Sequence, residues 1–206
     1  MKDKKLIGLT GVYCAGKNYV AVFLEQRGLP VLDVDKLGHQ VIEMEKERIM
    51  ARFGSDILGE DGLIDRKRLG ARVFGKPAEL AVLENIVHPG ANRETVAWIK
   101  AREEKTCVIN AALLHRSSVF NELDAVIIVK APWLARILRA RKRDNLPWTE
   151  LIKRFRSQSE FNTQYFTKNT DIYRVENSGY FGVSKGLRRN RLENRIDEIL
   201  SLLGIK

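Results

Sequence analysis

The residues best suited to chemistry lie near the amino end. Gly11-Val12-Tyr13-Cys14-Ala15-Gly16-Lys17-Asn18 follows the apolar run Leu6–Thr10 and opens a segment of helical periodicity. The spacing is G-x-x-x-x-G-K, the pattern of a phosphate-binding loop. Glycine permits the backbone angles that turn successive N–H groups inward, and those groups form a nest for phosphate oxygens with the helix N-terminus. Lys17 adds a mobile positive charge for the β- and γ-phosphates. Gly11, Cys14, Ala15, Gly16, Lys17, Asn18 and Tyr19 are therefore the candidate ATP-binding residues. Asn18 stands where the pattern has Ser or Thr, and its amide oxygen is a possible ligand for a hard cation. The loop alone does not separate a kinase from a GTPase or an ATP-driven machine. No Asn-Lys-x-Asp base motif of a GTPase is present.

A phosphoryl acceptor needs a group that takes its proton. Asp33-Val34-Asp35 ends the second apolar run. Read as strand, it places both carboxylates on one face, one as base and the other on a metal through water. The competing reading is a helix cap at Lys36, and spacing alone leaves the two equally open. Arg136, Arg139 and Arg143 fall at i, i+3 and i+7, on one helix face. They are either a closing set of phosphate ligands or a solvated basic face. His88-Pro89 reads as a substrate contact or as a helix start with Pro89 first. Cys14 lies near a helix N-terminus, where a thiol pKa falls, and oxidation sensitivity is the less favoured of its readings. His39 and His115 read as structural or exposed. Trp98, Trp133 and Trp148 read as packing residues in helical patterns.

The elements that must position these groups form an alternating series. Leu6–Thr10, Val31–Asp33, Thr106–Asn110, Ala125–Val129 and Ile172–Glu176 read as strands. Helical patterns separate them, from Lys17–Arg27 to Gly186–Leu203. Continuous apolar strands between helices predict a parallel five-stranded sheet covered on both faces, a three-layer α/β/α P-loop NTPase fold. Two stretches interrupt it. Residues 36–105 read as helices joined at Gly59–Gly62 and Gly75–Pro77, and residues 136–164 as a basic helical hairpin pivoting at Asn145–Pro147. The expected organisation is one domain with its core in 1–35, 106–135 and 165–206, plus helical insertions at 36–105 and 136–164. The chain has 206 residues and a net charge of +10. A polyanionic partner is compatible with that charge, but no aromatic-interleaved basic motif or zinc finger points to nucleic acid. No run approaches the roughly 20 apolar residues of a membrane span, and the first apolar run is too short for a signal peptide. Two cysteines make no disulfide framework. The expectation is a cytoplasmic monomer without nucleic-acid or membrane partners.

The linked motifs resemble the dephospho-coenzyme A kinase family. They are the phosphate loop, Val31–His39 with its Asp-x-Asp, Phe53-Gly54-x-Asp56-Ile57-Leu58, Asp61-Gly62-x-Ile64-Asp65-Arg66, and Leu83-Glu84-x-Ile86-Val87-His88-Pro89. The resemblance runs from Gly8 to beyond Gly179. It implies ATP + dephospho-CoA → ADP + CoA with Mg2+, and Asp35 as base for the ribose 3′-hydroxyl. It makes Lys17, Asp35 and Arg143 the catalytic set, and Asn18 with Asp33, through water, the metal ligands. Residues 36–105 are implied as the CoA-binding insertion and 136–164 as a lid, from the motif Arg139-x-x-x-Arg143-Asp144. Asp33, Asp35, His88, Leu114 and Arg139 are implied at the acceptor, and Asn177 and Gly179 near the ATP base. Ala112-Leu113-Leu114-His115 stands where the family carries Pro-Leu-Leu followed by Phe-Glu. The rival expectations are another small-molecule or nucleotide kinase, and a nucleotide-binding regulator with weakened turnover.

Overall fold

The computed structural model describes residues 4–144, 147–156, 170–178 and 185–205. The chain divides into two compact units, one of residues 1–31 and 103–206, the other Leu32–Arg102.

The first unit holds most of a five-stranded sheet. Its strands are β1 (Lys5–Gly11), β2 (Val31–Asp33), β3 (Thr106–Asn110), β4 (Ala125–Lys130) and β5 (Asp171–Glu176), in the order β2-β3-β1-β4-β5. β1 runs parallel to β3 and to β4, and β4 parallel to β5. Such a sheet needs cover on both faces, and the inner strands β1 and β4 accordingly read as near-continuous apolar runs, while the edge strand β5 mixes Asp171, Arg174 and Glu176 into its sequence. From Leu6 to Gly11 every residue is buried. Ile7 and Leu9 pack with Val20 and Leu24 of helix α1 (Lys17–Gln26) and with Leu192, Ile196 and Ile199 of helix α8 (Lys185–Leu202). On the opposite face Gly8 leaves the room that Leu114 and Leu123 fill. A β-carbon at Gly8 would lie 2.8 Å from Leu123 Cδ1 and closer still to Leu114 Cδ2. Because β1 sits between β3 and β4, its carboxyl end is the topological switch point, where open α/β sheets bind ligands. Helices α6 (Trp133–Asp144) and α7 (Trp148–Arg156) follow β4, so α6 begins three residues earlier than the basic run suggested.

The second unit is helical. It holds α2 (Val34–Met44), α3 (Lys46–Phe53), α4 (Arg66–Val73) and α5 (Pro77–Ala101), with one isolated bridge between Leu58 and Ile64. Ile49, Phe53, Ile57, Ile64, Leu69, Val73 and Ile86 form its main core. Two sequence expectations change here. The strand stops at Asp33 and α2 starts at Val34, so Asp35 lies in a helical first turn and the period-2 argument for a shared face does not apply. Asp33 caps the helix, accepting from Lys36 N at 3.1 Å. His88-Pro89 does not start a helix either. Pro77 takes the first position of α5, and Pro89 is interior to it. An interior proline removes one backbone donor, here the partner of the Asn85 carbonyl, yet the helix continues because α5 is held to α2. The contact is close at Gly90, where an added β-carbon would lie 2.6 Å from Val41 Cγ1. No helix among the described residues is long and apolar enough to cross a membrane.

Replacing Gly90 by Val is expected to lower unfolding free energy by about 1–3 kcal/mol through overpacking. Chemical denaturation of Gly90→Val beside Gly90→Val/Val41→Ala checks it, since the second change makes room and should recover part of the loss.

Candidate active site

The loop between β1 and α1 is shaped by three backbone features. Ala15 N donates to Val12 O at 2.9 Å, Cys14 is left-handed at φ 58°, and Gly16 at φ 97° precedes the first turn of α1. Cys14 is the one non-glycine residue with positive φ among the described residues. No side chain caps α1 and its first turn carries no acid. The helix N-terminus therefore turns its partial positive charge toward an anion with no side-chain cap in the way. Lys17 is the first residue of that helix and is half-buried, while Asn18 is exposed.

What orients the loop lies behind it. Tyr13 O accepts from Arg136 Nε at 2.8 Å. Cys14 O and Ala15 O accept from Arg139 Nη1 at 3.3 and 3.0 Å. Asn177 Nδ2 donates to Ala15 O at 3.0 Å, and Arg139 Nη2 donates to Asn177 O and Oδ1 at 3.0 and 3.2 Å. A trans peptide turns its N–H opposite to its C=O. Carbonyls of Tyr13 and Ala15 held toward these groups therefore turn the N–H groups of Cys14 and Gly16 away from them. Asn177 is itself fixed by its N–H, 2.7 Å from Lys130 O at the end of β4. It fits so closely against Gly16 that a β-carbon there would overlap its Nδ2.

Several expectations shift accordingly. Arg139 was expected at the acceptor, but its guanidinium is engaged by loop carbonyls and Asn177. Asn177, expected beside the ATP base, bonds the phosphate loop itself, and Gly179 lies outside the described residues. Leu114, expected at the acceptor, is fully buried against Gly8, so its side chain serves the core. Tyr19 directs its hydroxyl to Glu193 of α8, 2.6 Å away. Burial pushes the Cys14 thiol up from its ordinary value, while Arg143 pulls the other way and is outweighed, which speaks against the oxidation-sensitive reading. His115 is held below its ordinary value by burial and by Arg116.

Sequence reasoning missed the apparatus around Tyr13. Its hydroxyl donates to Asp144 Oδ2, and its ring lies against Phe155 of α7. Arg143 pairs with Asp144 through Nε and Nη2 at 2.7 and 3.0 Å, and that hydrogen bond raises its already high pKa. A large side chain in a loop usually built of small ones was the available signal.

In the helical unit, Asp35 is exposed in the first turn of α2 and His88 is half-buried on α5. An open cavity of about 830 Å³ is lined by His39, Glu43, Asp61, Asp65, Arg66 and Arg68 among others. Three of its four acids are occupied with backbone. Glu43 accepts from Ile64 N, Asp61 from Leu63 N, and Asp65 from the N–H groups of Lys67 and Arg68.

As for Mg2+, no three His, Cys, Asp or Glu side chains among the described residues are grouped so as to hold a metal ion. This ion, however, keeps much of its shell as water and substrate phosphate and takes few protein ligands. The exposed carboxamide of Asn18, next to Lys17, supplies a hard oxygen of that kind and fits the ion.

A parallel sheet whose central strand feeds a phosphate loop at the switch point, with basic helices behind it, defines a P-loop kinase. A family model described as Dephospho-CoA kinase matches residues 5–179. The dephospho-CoA kinase of Shouchella clausii is 36% identical over 158 residues, 74% of this chain and 80% of that protein. Among solved structures, a Thermus thermophilus protein aligns with a TM-score of 0.78 at 28% identity, covering 97% of this chain and 98% of its own. The dephospho-CoA kinase of Campylobacter jejuni aligns at 0.61 with 25% identity over 95% and 97%. The chain belongs to the dephospho-CoA kinase family, the kinases of the last step of CoA biosynthesis.

Two outcomes are expected from this geometry. Gly16→Ala, strained at φ 97° and blocked by Asn177, should weaken ATP binding by about tenfold or more, read by calorimetry. Cys14, with its thiol pKa raised, should be alkylated by iodoacetamide at pH 7 more slowly than free cysteine, read by mass spectrometry.

Proposed function

We propose that this chain moves the γ-phosphoryl group of ATP onto the ribose 3′-hydroxyl of dephospho-CoA, with Lys17, Asp35 and Arg143 as the catalytic residues. The observation that carries the reading is the uncapped amino end of α1 behind a loop whose carbonyls are tied back. A triphosphate complements the partial positive charge there. Lys17 neutralises the β- and γ-oxygens. Asp35 takes the proton of the 3′-hydroxyl as that oxygen bonds to the γ-phosphorus and the bond to the β-bridging oxygen breaks, releasing ADP. Arg143 stabilises charge on the equatorial oxygens. Asn18, with Asp33 through a water, would hold Mg2+, which supplies further neutralisation of the phosphates.

In this reading the helical unit Leu32–Arg102 takes dephospho-CoA, with His88 among its contacts. The hairpin of α6 and α7 belongs to the lid that excludes water and so limits idle ATP hydrolysis. Asp33 combines a water-bridged role with its cap, since Oδ1 serves Lys36 N and Oδ2 stands 3.9 Å from Lys36 Nζ. The chain acts as a cytoplasmic monomer.

The test is a coupled ADP assay with and without dephospho-CoA in the presence of Mg2+. ADP release should depend on dephospho-CoA, and release driven equally by other alcohols would reject the acceptor assignment. Lys17→Ala and Asp35→Asn should each lower kcat/KM by about 100-fold or more. A near-normal rate in Asp35→Asn would remove it as the base.

A further inference from the structure

Tyr13 is a loop residue with no part in the reaction as derived so far. Its carbonyl is taken by Arg136, and its hydroxyl donates to Asp144 Oδ2. Its ring meets Phe155 edge-on, with centroids 5.4 Å apart at 82°. Arg136 in turn lies over Phe155, 4.6 Å from the ring centre. The Arg143 guanidinium stands 5.2 Å from the centre of the Tyr13 ring and is clasped by Asp144.

One phenol thus restrains one guanidinium by two routes. Its face attracts the cation, and its hydroxyl fixes the carboxylate that grips the guanidinium fork. The clasp uses Nε–H and one Nη2 hydrogen. Arginine has five such donors, so both hydrogens on Nη1 and one on Nη2 stay available for phosphate oxygens. An arginine side chain that is 60% exposed otherwise samples many rotamers, and each productive encounter would have to order it. Here the ordering is done by a residue of the phosphate loop itself.

We propose that Tyr13 is a positioning residue for phosphoryl transfer, holding Arg143 beside the phosphate loop through its ring and through Asp144. The inference rests on the reading of Arg143 as the arginine that stabilises the transferring phosphoryl group.

The experiment compares the whole chain as wild type, Tyr13→Ala, Arg143→Ala and the double variant. The readouts are kcat, the Kd of a non-hydrolysable ATP analogue, and Tm. Arg143→Ala should lower kcat by about 100-fold or more. Tyr13→Ala should lower kcat by about tenfold while the analogue Kd stays within about threefold, a split that general loop damage does not give. The double variant should be no slower than Arg143→Ala, because the two act as one unit. Tyr13→Phe, which keeps the ring and loses the hydroxyl, should fall between wild type and Tyr13→Ala. If Arg143→Ala keeps wild-type kcat, the reading of Arg143 fails and takes the proposal with it. If Arg143→Ala is slow but Tyr13→Ala is not, the proposal alone is overturned. It is overturned equally by a Tyr13→Ala loss that persists undiminished without Arg143, or by a faster Tyr13→Ala enzyme. Should Tyr13→Ala lose its cooperative melt, Tyr13→Phe in the same two backgrounds decides by the same criterion.

Discussion

The site depends on which way a few peptides face. A loop binds phosphate only if its N–H groups converge on the anion, and a peptide is free to turn either edge outward. In this chain the carbonyl edges of Tyr13, Cys14 and Ala15 are bonded by Arg136, Arg139 and Asn177. Charged donors make the stronger hydrogen bonds, so the orientation is held before any ligand arrives. The left-handed Cys14 and Gly16 belong to the same arrangement. They supply the sharp reversal, while α6 and the segment after β5 keep it from relaxing.

The inner strands were readable in the sequence because strands buried on both faces have no polar alternation to confuse the pattern. Leu6–Thr10 and Ala125–Val129 needed only their apolar continuity. The phosphate loop was readable because few residue types can occupy Gly16. The boundary at Asp33 was not, since Asp serves equally as the end of a strand and as a helix cap, and the choice depends on where the Lys36 N–H finds its acceptor. Pro89 misled for a related reason. Proline usually marks a helix start, but packing at Gly90 and Val41 carries α5 through it.

The arginines of α6 show what periodicity leaves out. Their spacing put Arg136, Arg139 and Arg143 on one face, and they do share it. The sequence gives no sign that the first two turn to backbone carbonyls while the third pairs with its neighbour Asp144. That distinction is made by partners more than 100 residues away in the chain and by the size of Tyr13. Likewise the cavity beside His39 looks acidic in composition, yet Glu43, Asp61 and Asp65 are engaged by backbone N–H groups.

The distance along the chain between the phosphate loop and its supports bears on biosynthesis. Ala15 and Asn177 are separated by 162 residues, and sequence-distant contacts are slow to form. While the chain emerges from the ribosome, the loop is synthesised well before its braces, 123 residues ahead of Arg136 in the case of Tyr13 and 162 ahead of Asn177 in the case of Ala15. Nascent protein that stops short of α6 carries the nucleotide-binding motif without the groups that orient its peptides. Competence to grip a triphosphate therefore waits until β5 has joined the sheet and brought Asn177 to the loop.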